Sequence, residues 1–175
     1  MKNIVATLSL LFATTLSAQV AIGKATVSSP AVSLEFYDNA DNTRGIILPW
    51  VTSTAAVTGA VNGTIVYNTA DRKVYVKYAS GWRDLSVDNT GTVTTTLQDS
   101  LTDQDTARVL IGGDPSTDTT PGILVLADTN KAMVLPKVAS PHLNIVNPSP
   151  GMIVYDTTKK QLAVFNGTVW SFWKP

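Results

Sequence analysis

Alternation of apolar and polar side chains sets the first reading of this chain. Lys73-Val74-Tyr75-Val76-Lys77-Tyr78 puts Val74, Val76 and Tyr78 on one face and Lys73, Tyr75 and Lys77 on the other, the period of a half-buried β-strand. Just before it, Thr64 to Tyr67 is a compact β-branched and aromatic run, which predicts a second strand. Between them, Asn68 and Asp71 have side chains short enough to bond nearby backbone amides and set a turn. Ala79-Ser80-Gly81 predicts the next turn, ahead of Trp82. A second hairpin follows the same plan: Ile153 to Tyr155, a turn over Asp156 to Lys160, Gln161 to Phe165, the strong turn pair Asn166-Gly167, then Val169-Trp170. Ahead of each hairpin an apolar strand runs into Leu-Pro, at Leu48-Pro49 and Leu135-Pro136. Proline offers no ladder donor and ends the pairing there.

The two hairpins are copies. Gly63-Thr64-Ile65-Val66-Tyr67-Asn68-Thr69 returns as Gly151-Met152-Ile153-Val154-Tyr155-Asp156-Thr157, and the match runs on at the same spacing to Trp82 and Trp170. Upstream, Ile46-Ile47-Leu48-Pro49 pairs with Met133-Val134-Leu135-Pro136, and Val20-Ala21-Ile22-Gly23 with Val109-Leu110-Ile111-Gly112. Three blocks in the same order define two repeats. The expected organisation is a leader at 1–18, a β module at 19–86, a Thr- and Asp-rich linker at 87–108 and a second module at 109–175. Two copies are fewer than a solenoid needs, which favours tandem modules or units completed by other chains. Tyr67, Trp82, Tyr155 and Trp170 are the signature of the repeat.

Composition sharpens this. Among 175 residues, 13 Lys and Arg balance 13 Asp and Glu, so there is no electrostatic footprint for nucleic acid or an anionic membrane. With no cysteine there is no disulfide framework, thiolate zinc site or thiol nucleophile. Abundant Thr, Val, Asn, Asp and Gly favour strands and turns over helices. The expected class is all-β, built of short antiparallel strands and hairpins.

The N-terminus reads as a targeting segment. Met1-Lys2-Asn3 is a short positive start, Ile4 to Thr15 is apolar, and Ala18 offers a small residue before Gln19. That is the layout of a secretory signal peptide. The apolar run is too short to span a bilayer, and no later stretch is long and apolar enough. Cleavage after Ala18 predicts a secreted, extracellular or cell-surface product without a transmembrane segment.

Three features together resemble a recurring module of secreted Bacteroidota surface proteins and phage tail-fibre-like chains. They are the opening Val20-Ala21-Ile22-Gly23, the strand Arg44-Gly45-Ile46-Ile47-Leu48-Pro49 and the hairpin from Gly151 to Trp170. The resemblance implies a base module of fibre-like or adhesin-like chains, assembled as a trimer. The chain ends at Pro175, just past the second hairpin, so the expectation is an exported structural module rather than a complete adhesin. Asp99-Ser100-Leu101 and Asp105-Thr106-Ala107 in the linker resemble the O-glycosylation sites of exported proteins of this phylum.

Catalytic chemistry finds little to stand on. His142, the single histidine, lies in Ser140-Pro141-His142-Leu143, a loop-like stretch without a nucleophile elbow. Glu35, the single glutamate, sits in a strand-like run, and the aspartates cluster in turns, so no acid pair suggests glycoside hydrolysis. Asp38 to Asn42 lacks the spacing, glycine and terminal glutamate of a calcium loop. The expectation is a protein that is not an enzyme and holds no cofactor or metal.

The aromatics carry the remaining functional reading. Trp82 and Trp170, being equivalent, are expected to fill the core of their own hairpins. Trp50, Phe172 and Trp173 are candidates for a subunit contact or for stacking on sugar rings. Short strands in small modules leave unpaired edges and little private core. The leading expectation is therefore a self-assembling trimer or filament in a fibre-like surface structure. A glycan-binding module, or a surface protein as partner, is the alternative.

Overall fold

The computed structural model describes residues 19–102, 104 and 106–174. The expected leader at 1–18 lies outside them, as does Asp105 of the second expected glycosylation site.

One order of elements occurs twice. The first round is β1 (Val20–Ile22), β2 (Val32–Phe36), β3 (Ile46–Ile47), β4 (Trp50–Val51), a 3-10 turn (Thr54–Ala56), β5 (Ile65–Asn68), β6 (Lys73–Tyr78) and β7 (Gly81–Asp84). The second is β8 (Val109–Ile111), β9 (Leu124–Leu126), β10 (Ala132–Val134), β11 (Lys137–Val138), a single helical turn α1 (Pro141–Asn144), β12 (Met152–Asp156), β13 (Gln161–Phe165) and β14 (Trp170–Trp173). The described chain is nearly all β, in many short strands.

Local chemistry repeats as closely. Val66 opposes Tyr75 in β5–β6, and Val154 opposes Ala163 in β12–β13, both antiparallel. In the turns, Asn68 Oδ1 accepts from the Ala70 amide and Asp156 Oδ1 from the Thr158 amide, each at 2.9 Å. Arg72 and Lys160 hold the same turn position in the left-handed region, at φ 63° and 54°. The short strands ahead of each hairpin pair in parallel, β4 with β5 and β11 with β12. The Leu-Pro prolines start those strands: the Pro49 and Pro136 carbonyls accept from the Tyr67 and Tyr155 amides at 2.9 Å. A residue without an N–H serves there because its carbonyl is the group needed. Parallel pairing carried no turn signal in the sequence and emerges from the fold alone.

The core is shared between the repeats. One cluster joins Leu48, Tyr67, Val74 and Leu85 of the first repeat to Ile153 and Val164 of the second. The other, Val138, Ile145, Met152, Val154, Ala163 and Phe165, belongs to the second repeat. Burying one large aliphatic side chain is worth about 1.5–3 kcal/mol, against a net domain stability of about 5–15 kcal/mol. Losing Ile153 and Val164 would therefore remove a decisive part of the cluster beneath the first hairpin.

Candidate functional site

The junction between the repeats is built by exchanging strands. β3 of the first repeat lies antiparallel along the start of β12, with Ile47 opposite Met152 and Ile46 opposite Ile153. The Leu48 amide extends this ladder by donating to the Gly151 carbonyl at 3.1 Å. Close approach requires Gly45: a Cβ there would lie 2.6 Å from Met152 Cγ and from Val154 Cγ1. In the other direction, β10 of the second repeat pairs in parallel with β2, Met133 opposite Leu34.

Side chains lock this exchange. Tyr67, fully buried, donates its hydroxyl to the Asn166 carbonyl at 2.8 Å. Its Cβ would stand 2.8 Å from any Cβ at position 151, where Gly151 also holds φ 79°. Glycine answers both demands, lacking the clashing atom and tolerating the left-handed backbone. Ser33 Oγ donates to Asp128 at 2.9 Å, and Asn42 Nδ2 to the Lys137 carbonyl at 3.1 Å.

After β7, the start of the expected linker is strapped to the second repeat through Asp88, Thr90 and Thr92. Thr92 Oγ1 donates to the Gly167 carbonyl at 2.9 Å, and Thr168 Oγ1 to the Thr90 carbonyl at 2.8 Å. Asn166 Nδ2 reaches Asp88 Oδ1 at 3.1 Å. Gly91 is buried between the carbonyls of Arg72 and Asn166, each 2.5 Å from where its Cβ would be. Further along, Asp99, Ser100 and Leu101 are exposed.

A network of linked ion pairs lies beside β2. Glu35 is fully buried, yet accepts from Lys24 Nζ at 2.9 Å and from the Ser28 amide at 2.5 Å. Burial pushes its pKa up, but the Lys24 and Ser28 bonds together outweigh burial and hold it below the ordinary carboxylate value. Asp38 accepts from Lys24 at 3.1 Å and from Lys137 of the second repeat at 3.2 Å. Those two bonds, Lys24 first, lower its pKa. The Asp38 carboxylate, in the stretch weighed as an ion loop, is thus held by two lysines. Among the described residues no group of three or more acidic or histidine side chains is placed to hold a metal ion.

The aromatic candidates divide. Trp50 is half-buried at the junction, donating Nε1–H to the Pro150 carbonyl at 2.9 Å, its ring 6.0 Å from that of Tyr67. Trp173 is half-buried, donates to the Leu85 carbonyl at 2.5 Å and carries the Arg83 guanidinium 5.3 Å over its ring. Both therefore bridge the two repeats. Phe172 is 38% exposed and meets His142 edge to face at 5.7 Å. Trp170 packs at a tilt of 44° on Phe165, ring centroids 5.2 Å apart, against the second cluster, whereas Trp82 lines a shallow depression spanning Tyr78 to Arg83. Tyr155, the counterpart of Tyr67, is half-buried. The Gly45, Gly151, Ser33 and Asp128 contacts had no separate signal in the sequence, because they depend on which edges meet.

Among the described residues no helix is long and apolar enough to cross a membrane. No curated protein and no solved structure matches the chain. Residues 114–174, which hold β9 to β14 and so most of the second repeat, match the family described as phage tail like trimerisation region.

Proposed function

We propose that this protein is a non-enzymatic structural subunit that assembles with copies of itself, as a trimer, into an extracellular or cell-surface fibre. The similarity of residues 114–174 to a trimerisation region carries the reading. Shared core and exchanged strands support it, since they display a module that completes its sheets with strands from a neighbour. Pairing across chains removes exposed edges and adds core to units too small to hold much of their own.

The leader at 1–18 would deliver the chain out of the cytoplasm. N-terminal sequencing of protein recovered outside the cell should begin at Gln19. Light scattering on the purified protein should give three times the chain mass, and electron microscopy should resolve trimers or fibres. A stable monomer at high micromolar concentration would overturn the proposal.

A further inference from the structure

A difference between the two repeats in strand cover identifies a docking edge and its occupant. In the second repeat, Gly151, Met152 and Ile153 are buried, Ile153 to 2% exposure, because β3 lies along them. Their counterparts Gly63, Thr64 and Ile65 are exposed, half-buried and half-buried. Among the described residues β5 pairs with β4 from Tyr67 onward and with β6 on its other side, and no strand covers the edge before Tyr67. The complementary gap lies in the second repeat. Leu34 in β2 is 1% exposed beneath β10, while Leu124, which holds the same register position in β9, is 47% exposed. In the described sheets β9 pairs with β8 alone, and β10 is an edge strand.

Each gap in one repeat is therefore filled, in the other, by a strand of known identity. We propose that a second copy of this chain docks head to tail on these edges. The outer edge of its β10 runs antiparallel along Gly63 to Ile65, and the β3 of the first chain lies in parallel against its β9. The register follows from the intramolecular template: Met133 meets Ile65 as Ile46 meets Ile153, and Val134 meets Thr64 as Ile47 meets Met152. The contact uses different surfaces on the two copies, so it closes into a ring when the rotation allows and extends into a filament otherwise. This deepens the oligomeric reading above and rests on it.

The absence of cysteine makes a clean test. Val134 and Thr64 would face each other in a non-hydrogen-bonded antiparallel pair, whose Cα separation of about 4.5 Å suits a disulfide. The full chain carrying Thr64→Cys is mixed with the full chain carrying Val134→Cys, dissociated, reassociated and oxidised. Non-reducing gels should then show a cross-linked dimer in the mixture and none from either variant alone. Ile65→Cys with Val134→Cys, whose side chains lie on opposite faces, should not link. Hydrogen exchange on the unmodified protein supplies a readout free of mutation: the Ile65 amide should be protected as strongly as that of Ile153. Oligomers in which Ile65 exchanges freely, or in which a single variant links to itself, would overturn this docking mode while leaving the trimer standing. A monomer would overturn both.

Discussion

Tyr67 and Asn166 sit in different repeats, yet the phenol of one donates to the backbone carbonyl of the other at 2.8 Å with no solvent between them. That bond ties the first hairpin to the turn closing the second. In Tyr67→Phe the Asn166 carbonyl keeps its burial and loses this donor. A buried acceptor left without a partner costs about 1–3 kcal/mol. Denaturant unfolding should register this loss without a change of slope, and a change below about 0.5 kcal/mol would show that solvent replaces the hydroxyl.

Gly45→Ala tests the strand exchange through packing alone. A methyl there meets Met152 Cγ and Val154 Cγ1 at 2.6 Å, and Gly45 has an ordinary negative-φ backbone, so no left-handed strain is involved. Overpacking should destabilise by about 1–3 kcal/mol. Met152→Ala in the same chain should recover part of that loss, a coupling measurable in a double-mutant cycle.

Acid should act through the charge cluster beside β2. Glu35 and Asp38 have pKa values lowered in the folded protein, so each binds a proton more readily once unfolded. Their stabilisation is complete above the unfolded value near about 4 and is lost as pH falls toward the folded values. The melting temperature should drop below about pH 4. Glu35→Gln should lower it at neutral pH and flatten that acid limb. An unchanged acid limb in the variant would remove Glu35 from the account.

Alkali should act through phenols. Burial, above all, pushes Tyr67 up to about 12. Tyr75 is pushed higher still, by burial first and then by its hydrogen bond to Asp71. A raised folded pKa gives stability that is present below the ordinary tyrosine value near about 10 and lost as pH climbs through the folded value. Absorbance at 295 nm should show these two phenols ionising together with loss of the circular dichroism signal. Ionisation of all five tyrosines before any unfolding would contradict the burial.

The hairpins were legible in the sequence because their information is local. A β-branched run, an Asx turn and an alternating strand name themselves, and two copies reinforce one another. The shared core was not legible, for a physical reason. Ile153 and Val164 lie in unbroken apolar runs, Met152 to Tyr155 and Leu162 to Phe165, and such a run cannot say which neighbour supplies the cover on each face. The parallel strands are two to five residues long, below what periodicity resolves. Trp50 and Trp173 drew attention as large aromatics near an edge. That their indole N–H groups donate to the opposite repeat depends on the three-dimensional arrangement. The role of Thr90 and Thr92 within the Thr- and Asp-rich segment carries no sequence signal, because a threonine that bonds a distant backbone or side chain has the same composition as one that meets water.

The strap through Gly91 and Thr92 has a consequence for biosynthesis. A ribosome delivers the first hairpin long before Asn166, Gly167 and Thr168 exist to receive that segment, and before Ile153 and Val164 can cap the cluster beneath it. During that interval the nascent chain holds an unfinished apolar surface and open strand edges, the species most prone to aggregate. The first hairpin therefore cannot complete its packing until Asn166 to Thr168 are available to it, so it matures only together with the second.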